Sequence, residues 1–321
     1  MSSWQLKLHD PKMSPRKWFK AIALIVLPFA LFFLLGEPIL RSYVLAHPGD
    51  RVVELDQAQV GGPVERVTFA STDGIELVGW FVPAPAEGGA STGGGATVVA
   101  SHGSHGTGPD HYPGIAFLHD AGYNLFVFDH RAHGQSGGKA TTLGPLEVRD
   151  LRGAVAYLAS RPDVDPARIG AIGCSMGSAI SIAAAAEDAG IRAAVAESLY
   201  ADMHELWTRF GYVGIRGTPI HWSSGGLMRV ATRLWTGYPI HTFKPVEVID
   251  DIAPRPLLLI HGEYDNGACT VADAERLYLA AGEPKELWIV PGAGHCNAHI
   301  LLPKEYEARV RGFFDEALLN D

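Results

Sequence analysis

A series of short apolar runs constrains this chain more than any other feature: Thr97–Ser101, Leu125–Asp129, Ile169–Gly173, Ala193–Glu197, Leu257–His261 and Glu286–Val290. Stretches such as LFVF and LLLI show no polar alternation, which suits strands buried on both faces. Helical patterns lie between several of them. Leu151, Ala154, Val155 and Leu158 recur at i, i+3, i+4, i+7 and mark one apolar face. Ser178–Ala189 is Ala-rich and stops before Gly190, Val271–Ala281 stops before Gly282, and Lys304–Leu319 closes the chain. This alternation predicts an α/β domain with a mostly parallel central sheet flanked by helices. Arg66–Phe69 and Leu77–Val82, around the turn pair Asp73-Gly74, predict an opening hairpin, and Gly88–Gly95 reads as an exposed loop. Tyr200 to Val248 breaks the rhythm. It holds no convincing strand pair, and Met228, Ala231, Leu234 and Trp235 suggest one short helix. The segment, about residues 200–248, is read as a small lid inserted between two strands.

The N-terminus has a different character. Lys12, Arg16, Lys17 and Lys20 precede an uncharged run from Ala21 to Gly36. As a helix that run reaches about 24 Å, short of a hydrocarbon core of about 30 Å, although Ile39 and Leu40 extend it. The expected organisation is a basic cytoplasmic segment (1–20), a transmembrane signal-anchor (21–40) and the α/β domain (41–321), with the domain on the non-cytoplasmic side. Val44-Leu45-Ala46 offers an alternative cleavage site, and an interfacial helix is a third reading.

Charge and cysteine count exclude other classes. A net charge of −9, from 35 acidic and 26 basic residues, argues against nucleic acid as a partner. The three cysteines, Cys174, Cys269 and Cys296, are too few for a disulfide scaffold and fit no zinc spacing. Cys269 and Cys296 are expected to pair if the loops carrying them meet. A run of histidines (His102, His105, His111, His130, His133) raises a metal site, but no ligand spacing supports it.

The chemistry lies in Gly173-Cys174-Ser175-Met176-Gly177, a G-x-S-x-G between an apolar strand and an Ala-rich helix. That context makes Ser175 the candidate nucleophile on a strained turn. Gly134-Gln135-Ser136-Gly137-Gly138 matches the same expression, but no helix follows it directly. Serine needs a base, and His295 in the loop Pro291–His295 after ELWIV is the candidate, with His299 its nearest competitor. Asp265, just beyond PLLLIHG, is the candidate orienting acid, with Glu263 and Glu197 as alternatives. The N–H of Met176 and the N–H of Ser104 are the expected oxyanion donors.

Taken together, SHGSHG, FVFDHRAHGQSGG, RIGAIGCSMGSA, LLLIHGEYDNG and VPGAGHCNAH resemble the α/β-hydrolases. Within them the chain looks most like membrane-anchored, serine-aminopeptidase-like and dienelactone-hydrolase-like esterases, over about residues 64–318. The resemblance matches Asp129, Arg131, Gly134 and Ser136 to a structural loop, D-x-R-G-x-G-x-S, with Ala132 replacing its usual Gly. It implies no cofactor and a small ester or short acyl or peptide substrate. The expectation is therefore a carboxylesterase-like serine hydrolase, with peptidase activity as the alternative and a non-catalytic hydrolase-fold binding protein as a third reading. Peptidase activity would call for an amine-binding acid such as Asp202 or Glu205. Trp207, Trp222 and Trp235 would line an apolar pocket or form the core of the lid.

Overall fold

The apolar runs form the inner strands of one eight-stranded sheet. The computed structural model describes residues 14–49, 51–85, 95–214 and 221–320, apart from the side chains of 212–214, 221 and 222. The strands are β1 (Glu65–Ala70), β2 (Glu76–Val82), β3 (Gly95–Ser101), β4 (Asn124–Phe128), β5 (Val164–Cys174), β6 (Ile191–Glu197), β7 (Tyr212–Gly214), β8 (His221–Ser223), β9 (Leu257–Gly262) and β10 (Lys285–Val290). The main sheet runs β1-β2-β4-β3-β5-β6-β9-β10. β1, β2 and β4 pair antiparallel, and every pairing from β4 to β10 is parallel. The expected hairpin is present, with Gly74 at φ 86° in its turn. Most of the expected loop Gly88–Gly95 lies outside the described residues, and Gly95 itself opens β3.

Each face of the sheet carries its own core, because alternate residues of a strand point opposite ways. Val99 and Ala171 face one side, against Leu151, Val155 and Leu158 of α2 (Glu147–Ala159) and Ile180 of α3 (Met176–Glu187). Val98 and Ala100 face the other, against the closing helix Pro303–Phe314, whose Tyr306, Val310 and Phe314 are buried. Burying a Val, Leu, Ile or Phe side chain contributes about 1.5–3 kcal/mol. α3 stops at Glu187, earlier than the Gly190 signal suggested, and Asp188 Oδ1 accepts the Gly190 N–H at 2.9 Å.

The segment between β6 and β9 departs from expectation in one respect. It holds α4 (Met203–Phe210) and α5 (Gly225–Thr236), but also an antiparallel pair, β7 with β8, where the sequence shows no convincing strand pair. Each of these strands spans three residues, too few to show a period.

The N-terminal helix is longer than its apolar run. α1 extends from Pro15 to Ala46, 32 residues or about 48 Å, and its most apolar window is wholly unburied. Its last turns leave the apolar stretch and pack along α5. Ser42 Oγ accepts the Trp235 Nε1–H at 3.2 Å, Tyr43 meets Trp235 edge-on at 5.4 Å, and the Ala46 carbonyl accepts the Thr141 N–H at 2.9 Å. By length and composition α1 can cross a membrane or serve as a signal sequence.

Candidate active site

β5 ends at Cys174, and the chain reverses into α3 through Ser175, whose φ of 55° is unusual for a residue with a side chain. Such a conformation costs on the order of 1–3 kcal/mol and persists only where the surroundings impose it. The flanking glycines make the turn feasible. A Cβ on Gly177 would overlap the Ser101 carbonyl, and one on Gly173 would overlap the Gly177 carbonyl. Ser178 Oγ, bonded to the Gly173 and Glu197 carbonyls at 2.7 Å each, staples the elbow to β6. Ser175 N–H donates to the Glu197 carbonyl at 2.9 Å. That leaves the N–H of Met176 in the first turn of α3, where a helix provides no acceptor of its own.

The loop after β3 passes beside the elbow: a Cβ on Gly103 would stand 3.6 Å from the Ser175 Cβ. The Gly103 carbonyl accepts from His102 Nδ1 at 2.7 Å and from the Gly106 N–H at 3.1 Å. His102 Nε2 accepts the His130 N–H at 3.0 Å, so this imidazole is neutral with its proton on Nδ1. Burial, with the neighbouring His130 and His133, holds its pKa well below the ordinary value. In a trans peptide the N–H points opposite the carbonyl. Fixing the Gly103 carbonyl therefore aims the Ser104 N–H away from His102. Other members of the histidine run also have local partners: His130 Nε2 meets Ser101 Oγ at 2.6 Å, and His133 Nδ1 meets the Arg131 carbonyl at 2.9 Å.

β9 and β10 deliver the other two candidates. Asp265 is 3% exposed, and its Oδ2 lies 2.7 Å from His295 Nδ1. His261, also buried, stands with Nε2 3.8 Å from the same oxygen. Gly262 lets the His295 loop close over the end of β9, since a Cβ there would overlap the Gly294 carbonyl. Glu263, an alternative acid, instead accepts the Gly292 N–H at 2.8 Å. Glu197, the other alternative, accepts the Ala298 N–H at 3.1 Å and bonds the buried Tyr306 hydroxyl. Burial pushes its pKa up to about 7. Ser198 Oγ accepts the Cys296 N–H at 3.0 Å, so the end of β6 supports both the elbow and the His295 loop. His299 packs against Gly114 and Tyr306, and no bond joins it to Ser175. The described residues hold no hydrogen bond to the Ser175 hydroxyl, and His295 is bonded to Asp265 alone.

The expected Cys269–Cys296 pair is not formed. The disulfide joins Cys174 to Cys296, with Cα atoms 6.1 Å apart. Cys269 is a free, buried thiol, and burial raises its pKa well above the ordinary value. It belongs to the core on one face of the sheet, whereas Cys174 is the half-buried last residue of β5. Sequence reasoning missed this bridge, as it missed Ser198 and Tyr306. The available signal was that Cys174 directly precedes Ser175 and Cys296 directly follows His295.

Ser136 is structural: its Oγ donates to the Asp129 carbonyl at 2.6 Å and accepts the Val78 N–H at 2.9 Å. In the same loop Arg131 is buried between Asp150 (2.6 Å) and Asp73 (2.8 Å). Asp202 caps α4 by accepting the His204 N–H at 2.6 Å, and Glu205 pairs with Arg276 at 2.8 Å, so both candidate amine-binding acids are engaged. Trp207 is fully buried on α4, Trp235 packs on α1, and the Trp222 side chain lies outside the described residues.

Residues 55–232 match the family X-Pro dipeptidyl-peptidase (S15). The chain is 31% identical to the protein YfhR of Escherichia coli K12, over 73% of this chain and 74% of that one. It is 27% identical to YfhR of Salmonella typhi, over 95% of each. Among solved structures, the esterase Pf2001 of Pyrococcus furiosus superposes with a TM-score of 0.68 at 27% identity, covering 85% of this chain and 98% of that one. PA2218 of Pseudomonas aeruginosa shares the fold, with a TM-score of 0.61 at 24% identity. The family match spans more than half of the sequence, and the sheet and its neighbours agree with it: this chain belongs to the X-Pro dipeptidyl-peptidase (S15) family of α/β-hydrolases.

Proposed function

We propose that this hydrolase cleaves carboxylic ester or thioester bonds through an acyl-enzyme on Ser175. His295 takes the Ser175 proton, passes it to the leaving group, and then activates the water that releases the acid. Asp265 orients His295 and stabilises its charged form. The N–H groups of Met176 and Ser104 receive the oxyanion. The observation that carries this reading is the 2.7 Å bond from His295 to a buried carboxylate, in a loop bridged by the Cys174–Cys296 disulfide to the turn that holds Ser175 at positive φ. The likeness to the Pyrococcus furiosus esterase supports it. The substrate is a small ester or short acyl compound. The protein is held in a membrane by α1, uncleaved and with the domain outside the cytoplasm. The burial of Ser42 and Ala46 against the lid supports retention of the helix.

The family match favours a second reading, peptidase activity on short peptides. Fluorophosphonate labelling of the purified full chain tests both. Labelling is expected in wild type and absent in Ser175→Ala; unlabelled, folded wild type would favour the binding-protein reading. Turnover of p-nitrophenyl esters against aminoacyl and X-Pro anilides then separates esterase from peptidase, and faster anilide cleavage would displace the ester reading.

A further inference from the structure

We propose that the Cys174–Cys296 disulfide is a positioning device that holds the base over the nucleophile, so that the oxidised protein is the competent enzyme. This rests on the assignment of Ser175 and His295 above. Cys174 immediately precedes Ser175 and Cys296 immediately follows His295. A bridge with Cα atoms 6.1 Å apart therefore keeps the Cα atoms of Ser175 and His295 within at most about 14 Å of each other.

The noncovalent ties of the two loops leave this task open. The His295 loop is bonded to β9 through Tyr264 N–H and the Ala293 carbonyl at 2.8 Å, and to β6 through Cys296 N–H and Ser198 Oγ at 3.0 Å. The elbow is bonded to β6 through Ser175 N–H and the Glu197 carbonyl at 2.9 Å. No hydrogen bond among the described residues joins Ser175 to His295, so the disulfide is the direct link between their loops. Cys296 is held at φ 50°, a conformation that a residue with a side chain keeps only under restraint. Proton transfer needs heavy atoms within hydrogen-bond reach, and a displacement on the order of 1 Å costs on the order of a hundredfold in rate.

The sheet does not need the bridge to form. β5, β6, β9 and β10 pair by backbone hydrogen bonds, and both cores close around them. Reduction by a dithiol breaks the S–S bond in two exchanges. One reagent thiolate attacks a protein sulfur, and the second displaces it from the mixed disulfide. The protein gains two electrons and two protons as thiols, and the reagent leaves as its cyclic disulfide.

The test uses the full chain in detergent with a p-nitrophenyl ester. Alkylation under denaturing conditions and mass spectrometry should find one free thiol, Cys269, before treatment and three after treatment with dithiothreitol. On reduction kcat should fall at least tenfold, with KM within twofold and circular dichroism unchanged; reoxidation should restore the rate. A Cys174→Ala, Cys296→Ala double variant should show the same loss and no further response to dithiol, and Cys269→Ala should behave as wild type. An unchanged or increased kcat with three free thiols confirmed would overturn the proposal while leaving the serine assignment standing. So would three free thiols in protein isolated without reductant. Absence of both turnover and fluorophosphonate labelling in the oxidised protein would overturn the assignment itself, and the proposal with it.

Discussion

Replacing Glu197 by Gln probes the polar support beneath the site. Glu197 ends β6, is 4% exposed, and accepts the Ala298 N–H at 3.1 Å. Burial raises its pKa from 4.5 to about 7 when the chain folds. Between those values the folded protein keeps a proton that the unfolded chain has released, so stability declines as pH rises. The contribution is complete below pH 4.5 and lost above pH 7. At about 1.36 kcal/mol per unit, the gap is worth about 3 kcal/mol. Gln carries no charge at any pH and retains an oxygen for the Ala298 N–H. Urea unfolding of wild type and Glu197→Gln, followed by tryptophan fluorescence in the same micelles from pH 4.5 to 8, isolates the term as a difference. The two should be nearly equal at pH 4.5. The variant should gain about 3 kcal/mol relative to wild type by pH 8. A difference that stays flat across this range would refute the account, because the carboxyl would then titrate alike in both states.

Two further outcomes follow from packing. Asp150→Ala removes the fully buried partner of Arg131 and should cost about 3–5 kcal/mol in urea unfolding, because a nearly buried guanidinium loses its main counter-charge. A chain begun at residue 37 should keep the wild-type melting temperature of its domain. One begun at residue 47 should melt several degrees lower, since it loses Ser42 and Ala46 from the face of α5; equal melting of the two would contradict the packing described.

The sheet was readable because β3, β4 and β9 are buried on both faces, which leaves an unbroken apolar signature. The sharp turn at Ser175 was readable because steric need writes glycines around it, and the meeting of Asp265 with His295 because strand ends collect polar loops. The β7–β8 pair was not, since strands this short have no periodicity. The cysteine pairing was not readable either. Partners 122 residues apart are brought together by the order of the strands, and the adjacency of Cys174 to Ser175 and of Cys296 to His295 points to this pair only once those two loops are known to meet. The last turns of α1 carry polar residues such as Glu37, Arg41 and Ser42, so the sequence marks an end to the apolar run but not to the helix. The surface of α5 that continues the helix is supplied from residues far along the chain.

The packing of α1 along α5 has a mechanical consequence. A flexible tether of ten residues would let a domain roam over roughly 17 Å. Here the helix runs on to Ala46 through a π-helical turn at Phe32–Gly36 and is clasped at once by Thr141 and Trp235. With α1 embedded in a bilayer, the domain would stand on a stiff mast, keeping one height and one heading over the lipid. Its mouth would then sample a thin slab of the space above the surface, and a molecule's distance from the headgroups would decide whether it is encountered at all.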